Sequence, residues 1–207
     1  MNVPTVRDEW RRNGFMVVAC AFGLSLHMTS TYILGLVMEP LSLEFGWSRA
    51  EISSVSLIPG ILMILFSPFM GAVIDRWGTR KVAIPSLILT GASLAMISLA
   101  DGAIWQWILL WLFYGVVSLG TKVTVWTTAV SNVFFSSRGL ALGVMLCGGA
   151  LAQILVPPIA QMLVDGSGWR MAYIGIGIGW TIPTVLLVIL FLRDADRFAK
   201  RPGKDEV

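Results

Sequence analysis

Six runs of apolar residues, interrupted only by isolated polar side chains, occupy roughly residues 15–37, 52–74, 82–100, 105–133, 139–163 and 171–192. They are long and continuous, unlike the short alternating segments that fold around an aqueous core. Each is near the 20 or so residues that carry a helix across a bilayer's hydrocarbon. That interior offers no water to an exposed peptide group, so a run of this length must satisfy its own backbone as a helix. The pattern predicts an all-α integral membrane domain over 15–192, with a short tail over 1–14 and a polar stretch over 193–207. The first run exceeds the apolar stretch of a cleaved signal peptide and lacks a small-residue cleavage site at its end, so it reads as a retained helix.

Composition agrees: 56% of the 207 residues are hydrophobic and 13% are charged, against roughly 25% charged in soluble domains. The net charge of +3 does not point to nucleic acid, because the cations sort by side. Twelve of the 15 lie in the first tail, the second and fourth connections and the last stretch; Arg49 and Arg170 alone occupy the alternate connections, and Lys122 lies within the fourth run. By the positive-inside rule both termini are expected in the cytoplasm of a multi-pass protein, with the cell (inner) membrane the expected location. Cys20 and Cys147 fall inside apolar runs, which suggests neither a disulfide nor a metal site.

Shifting the sequence by 90 residues superposes Pro68, Asp75, Gly78 and Arg80 on Pro158, Asp165, Gly168 and Arg170. Runs two and three then correspond to runs five and six, giving two groups of three. Three is odd, so the second copy is inverted across the membrane, a 3+3 inverted repeat. It has Gly166 and Met171 where the first copy has Arg76 and Lys81, as positive-inside sorting requires.

Between runs two and three stands Gly71-Ala-Val-Ile-Asp75-Arg76-Trp-Gly78-Thr-Arg80-Lys81. Gly71 is expected to allow close packing, Asp75 to end the helix among cations, and Gly78 to supply the positive φ of a tight reversal. Arg80 and Lys81 are expected at the headgroups. This spacing resembles the second-to-third-loop signature of the major facilitator superfamily. That resemblance implies a transporter half in which Asp75 meets a helix end of the other half, with Arg76 and Arg80 as partners in a gating loop. Glu44-Phe-Gly-Trp-Ser-Arg49-Ala-Glu51-Ile and Phe134-Phe-Ser-Ser-Arg138-Gly139-Leu-Ala141-Leu-Gly143 look like monocarboxylate transporter and oxalate/formate antiporter relatives. The segment before run one departs from that group, being reduced to Arg12-Asn13-Gly14-Phe15. Run four has Trp111 where many proton-coupled members carry arginine, and run five lacks the Gly-Pro pattern of drug antiporters.

Within the spans, Lys122 lies about 25 Å beyond Trp105 if run four is one helix. A lysine at that depth costs about 2.5–3.5 kcal/mol or more without water or a partner, which marks it as a candidate for function; the alternative is a lysine that snorkels to the cytoplasmic surface. On a continuous helix Tyr114, Ser118 and Trp126 share its face, a polar stripe toward which a carboxylate would be drawn. His27, the single histidine, lies mid-way along run one with Thr31 a turn later; it is a candidate for carrying a proton, or a neutral hydrogen-bonded side chain. Gly139, Ala141, Gly143, Gly148 and Ala152 form a small-residue face suited to packing, and Gln153 is the cavity candidate on run five. Pro59, Pro68, Pro157 and Pro158 are expected to bend runs two and five. A Ser93–His27 hydrolytic pair has no metal ligands or evident oxyanion hole beside it, so an enzyme is the remote reading. No nucleotide-binding motif is present; with no cofactor expected, a gradient must supply the driving force.

The sequence therefore predicts secondary transport of a small solute, a small organic anion such as a monocarboxylate, coupled to protons. Besides lipid and substrate, the expected partner is a second six-helix half: a separate chain, a carboxyl half or a second copy. The competing reading is a half-transporter that acts only as an assembly subunit.

Overall fold

The computed structural model describes residues 5–192, so the tail expectation over 193–207 lies outside the described residues. The described chain forms α1 (Val6–Phe45), α2 (Arg49–Ser54), α3 (Leu57–Trp77), α4 (Thr79–Ile97), α5 (Ile104–Val117), α6 (Val123–Ser131), α7 (Arg138–Ser167) and α8 (Trp169–Phe191). They group into six spans: α1, α2 with α3, α4, α5 with α6, α7 and α8. All six are long and apolar enough to cross a membrane.

The spans begin and end where local chemistry allows. Thr5 caps α1, its hydroxyl oxygen accepting the Asp8 N–H at 3.3 Å, and Gly46 ends that helix at φ 72°. Ser48 and Glu51 form a reciprocal capping box at the start of α2. Pro59 sits in the first turn of α3, where a missing N–H costs nothing, so it opens that helix instead of bending it. Pro68, Pro157 and Pro158 lie inside α3 and α7.

The inverted repeat is written in the backbone. Gly78 and Gly168 join α3 to α4 and α7 to α8 at φ 88°, ψ 155° and φ 85°, ψ 167°. Arg80, opening α4, donates to the Ile189 carbonyl near the end of α8; Arg170, opening α8, donates to the Ala100 carbonyl just beyond the end of α4. The two helices run antiparallel and meet where a Cβ on Gly91 would strike Thr181, its own counterpart 90 residues on. The two-fold relation between copies thus passes through their closest approach.

Span one is central, packed on α7, α8 and α6. Two thirds of its apolar window is buried (67%), whereas that of span two is 11% buried and presents Ile61, Ile64, Leu65 and Phe69 outward. On α7, Ala141, Met145, Gly148, Ala152 and Val156 are buried, and Gly148 lies against the Ala21 backbone of α1. Gly139, Gly143 and Gly149 have nothing within 4 Å of an added Cβ, so only part of the small-residue face is a packing seam.

Span four corrects the expectation of one unbroken helix. The α geometry stops at Val117, residues Ser118–Thr121 form a 3₁₀ turn, and Lys122 is extended at φ −67°, ψ 160° before α6 begins. Gly120 permits this, since any Cβ there would meet the Ser86 side chain on α4. Hydroxyls answer carbonyls along the break: Ser118 donates to Gly115 at 3.0 Å and Thr121 to Ser118 at 2.9 Å.

Candidate functional site

The break in span four places a charged side chain within an apolar span. The Lys122 side chain is only 6% exposed, and its Nζ lies 3.2 Å from His27 Nε2 on α1. An ammonium can only donate, so in that contact the ring nitrogen accepts. Nδ1 of the same ring is buried without a partner among the described residues. No carboxylate among the described residues pairs with Lys122; the one ion pair found there, Glu44 with Arg170 at 2.7 Å, joins the end of α1 to the start of α8.

Lys122 and His27 open onto a cavity of about 160 Å³ that Ser30, Thr31, Tyr114 and Trp111 also line, closed on one side by Ser56, Pro59 and Gly60 of span two. The Tyr114 hydroxyl is fixed by a 2.7 Å bond to Ser30 Oγ. From Tyr114 a ladder of rings runs up span four: Tyr114 to Trp111 at 5.5 Å, Trp111 to Trp107 at 5.9 Å, and Trp107 to Trp47 at 5.6 Å. It continues through Phe45 to Trp169, whose indole donates to Glu44 at 2.6 Å. An uninterrupted packed path therefore joins the cavity to the Glu44–Arg170 clasp.

Four of the seven cavity candidates, His27, Thr31, Tyr114 and Lys122, come together here. Three do not. Ser118 is fully buried and bonded to its own helix, because the turn that follows destroys the four-residue stripe. Trp126 is buried against Gly23 of α1, with its indole turned back to the Thr121 carbonyl. Gln153 is one position round the helix from the buried Ala152 and lies on the exposed face of α7. Ser93 donates to the Thr90 carbonyl instead of facing His27.

At the loop between α3 and α4, Gly78 has the expected positive φ, and Thr79 starts α4 at once. Asp75 lies within α3, which continues to Trp77; Asp75, Arg76 and Lys81 are exposed. Gly71 has nothing within 4 Å of an added Cβ, so it presents an open surface and not the close contact expected.

Sequence reasoning missed Glu9. Its buried carboxylate accepts the N–H groups of Phe135, Ser136 and Ser137 at 2.9–3.0 Å and the Ser137 hydroxyl at 2.9 Å, holding the first turn of α1 against the entry to α7. No local signal marks it: the partners lie about 126 residues away.

Comparison with known proteins bears on this geometry. The sequence profile described as Major Facilitator Superfamily matches residues 20–206. The chain is 30% identical over 170 residues to monocarboxylate transporter 11 of Mus musculus, covering 79% of this chain and 37% of that protein. It is 32% identical over 149 residues to the MFS-type transporter pytF of Aspergillus terreus, covering 70% and 49%. It is 26% identical over 171 residues to the multidrug resistance protein MdtG of Escherichia coli, covering 80% and 40%. The chain thus spans between about a third and a half of the length of these relatives.

Proposed function

Since the chain belongs to the major facilitator superfamily and is a multi-pass membrane protein, we propose that it is a six-helix half of a secondary transporter for a small organic anion, with Lys122 as the anion-binding group. The observation that carries this reading is a buried lysine without a carboxylate partner among the described residues, lining a cavity between spans. An unbalanced cation in hydrocarbon costs several kcal/mol, and an entering carboxylate supplies the missing charge together with a short charge-assisted hydrogen bond. The cavity's size favours a small guest, since about 150 Å³ accommodates one of benzene size. A monocarboxylate of three or four carbons is of that order. The mammalian relative, named a monocarboxylate transporter, agrees.

Proton coupling is part of the proposal. Lys122 and His27 are two bases 3.2 Å apart, a distance at which two full positive charges repel strongly. An anion arriving beside the Lys122 ammonium offsets that repulsion and lets His27 take up a proton as well, so anion and proton enter together. The proposed topology has both termini in the cytoplasm of a cell (inner) membrane, with Asp75, Arg76, Arg80 and Lys81 in a gating loop on that side. The outward face of span two and the open surface at Gly71 suit a second six-helix body, against which this half would rock. An assembly subunit without transport is the competing reading, and an enzyme is disfavoured by the family.

Binding is tested on the chain itself by calorimetry with lactate and its uncharged amide, followed by uptake of labelled carboxylate into proteoliposomes with and without a proton gradient. The acid should bind and the amide should not, and Lys122→Ala should abolish both binding and uptake. Equal binding of acid and amide, or an unaffected Lys122→Ala chain, would overturn the anion reading. Binding without uptake from a well-folded monomer would support the half-transporter assignment and call for the second half.

A further inference from the structure

Trp126 does not touch the cavity, yet the shape of the cavity's charged wall depends on what it holds. A helix that stops and restarts inside a membrane frees carbonyls that water cannot reach. At the break in span four, the Thr121 carbonyl is answered by a side chain: the Trp126 indole N–H donates to it at 2.9 Å, reaching back five residues from within α6. Helical side chains lean toward the N-terminus, so a ring on the second turn of α6 is well aimed for this. Thr121 C=O belongs to the peptide plane that joins Thr121 to Lys122. Holding that carbonyl therefore fixes the plane from which the extended Lys122 departs.

The donor is itself held. Trp126 has no exposed surface, and its ring occupies the space that a Cβ on Gly23 of α1 would need. Gly23 lies four residues before His27, so one helix seats both the indole that shapes the break and the imidazole that meets the ammonium. The distances close a circuit: Gly23 seats Trp126, Trp126 holds Thr121, Thr121 leads into Lys122, and Lys122 reaches His27 on the helix of Gly23.

We propose that Trp126 is a positioning residue that keeps span four unwound at Ser118–Lys122 and so delivers the Lys122 ammonium to His27 and the cavity. Its consequence for transport rests on the anion-binding reading of Lys122, while its consequence for the Lys122–His27 contact does not. Without the indole donor, the freed carbonyl is best satisfied by rewinding the turn into continuous α-helix, which moves Lys122 off its extended geometry.

The sole histidine makes this directly readable, because ¹⁵N-histidine labelling of the detergent-solubilised chain gives a single imidazole. Lys122→Met defines the signal of a His27 ring that has no ammonium beside it. Trp126→Phe, which keeps a ring and removes the N–H, should move the His27 signal toward that reference. Replacing Trp126 with benzothienylalanine, a near-isostere lacking the N–H, should do the same without disturbing the Gly23 contact. Trp107→Phe is the control: it removes an equally buried indole in the same span whose N–H has no partner among the described residues, and it should lower stability while leaving His27 unchanged. In the calorimetric assay on the same chain, Trp126→Phe should weaken lactate binding about fivefold, the scale of one hydrogen bond. If His27 is unmoved in the Trp126→Phe chain and in the isostere, or if Trp107→Phe moves it as much, the positioning role is wrong. If His27 moves but carboxylate binding does not change, the positioning role stands and the anion reading fails.

Discussion

Gly148→Ala and Gly143→Ala add the same methyl group to the same helix, five residues apart, and should act in opposite directions. At 148 the new Cβ falls on the Ala21 carbonyl of α1, 2.6 Å from its carbon and 2.8 Å from the Ala21 Cα. These are backbone atoms, so no side chain can turn aside; α7 must move off α1. Overpacking of this kind costs about 1–3 kcal/mol, from which alanine's better helix propensity returns up to about 1 kcal/mol. The net is a loss of up to about 3 kcal/mol, which lowers the melting temperature by up to roughly 12 °C for a chain of this size. At 143 an added Cβ meets nothing within 4 Å, so only propensity acts, giving a gain between zero and about 1 kcal/mol. The protein supplies its own probe: Cys20 is fully buried in α1 and Cys147 is exposed. In a Cys147→Ser background, a fluorogenic thiol reagent lights up when heating uncovers Cys20. A Gly148→Ala chain that melts at or above the parent temperature would refute the argument that this seam is tight.

Removing the Glu9 carboxylate in Glu9→Ala leaves three N–H groups at the entry to α7 without their acceptor, a loss of about 2–3 kcal/mol; amide exchange at Phe135–Ser137 should accelerate, and unchanged protection there would count against the clasp. Arg170→Ala breaks a half-exposed pair, the stacking of its guanidinium 4.3 Å over Trp169 and its hydrogen bond to the Ala100 carbonyl, so its cost should be about 1–3 kcal/mol in the same thermal assay. Lys122→Ala should abolish lactate binding measured by calorimetry while leaving the Cys20 melting temperature equal to or above that of the parent, since it removes an unbalanced buried charge.

The six spans and the inverted repeat were legible because hydropathy and backbone geometry leave so few choices in a membrane. Pro68, Asp75, Gly78 and Arg80 have counterparts that superpose by a single offset, and the two glycines share nearly one conformation. His27, Thr31, Tyr114 and Lys122 were legible because a polar group in hydrocarbon is conspicuous. The break in span four was not. Ser118, Gly120 and Thr121 are each tolerated in a helix, and no proline announces the interruption; the clue was their clustering just before a lysine. Assuming α geometry across that point carried Ser118 and Trp126 wrongly into the cavity. Gln153 lies on the exposed face of α7, a helix that contributes no residue to this cavity, while Glu9 depended on a contact that no local pattern encodes.

The ladder of rings from Tyr114 through Trp111, Trp107 and Trp47 gives the protein an intrinsic optical signature. Aromatic rings set edge to face or tilted at separations below 6 Å couple their electronic transitions, so this column should give a strong near-ultraviolet circular dichroism signal. Its lower end is the wall of the cavity. A guest that settles beside Trp111 and Tyr114 alters the coupling at its terminus, and occupancy can be followed by polarised light without a label.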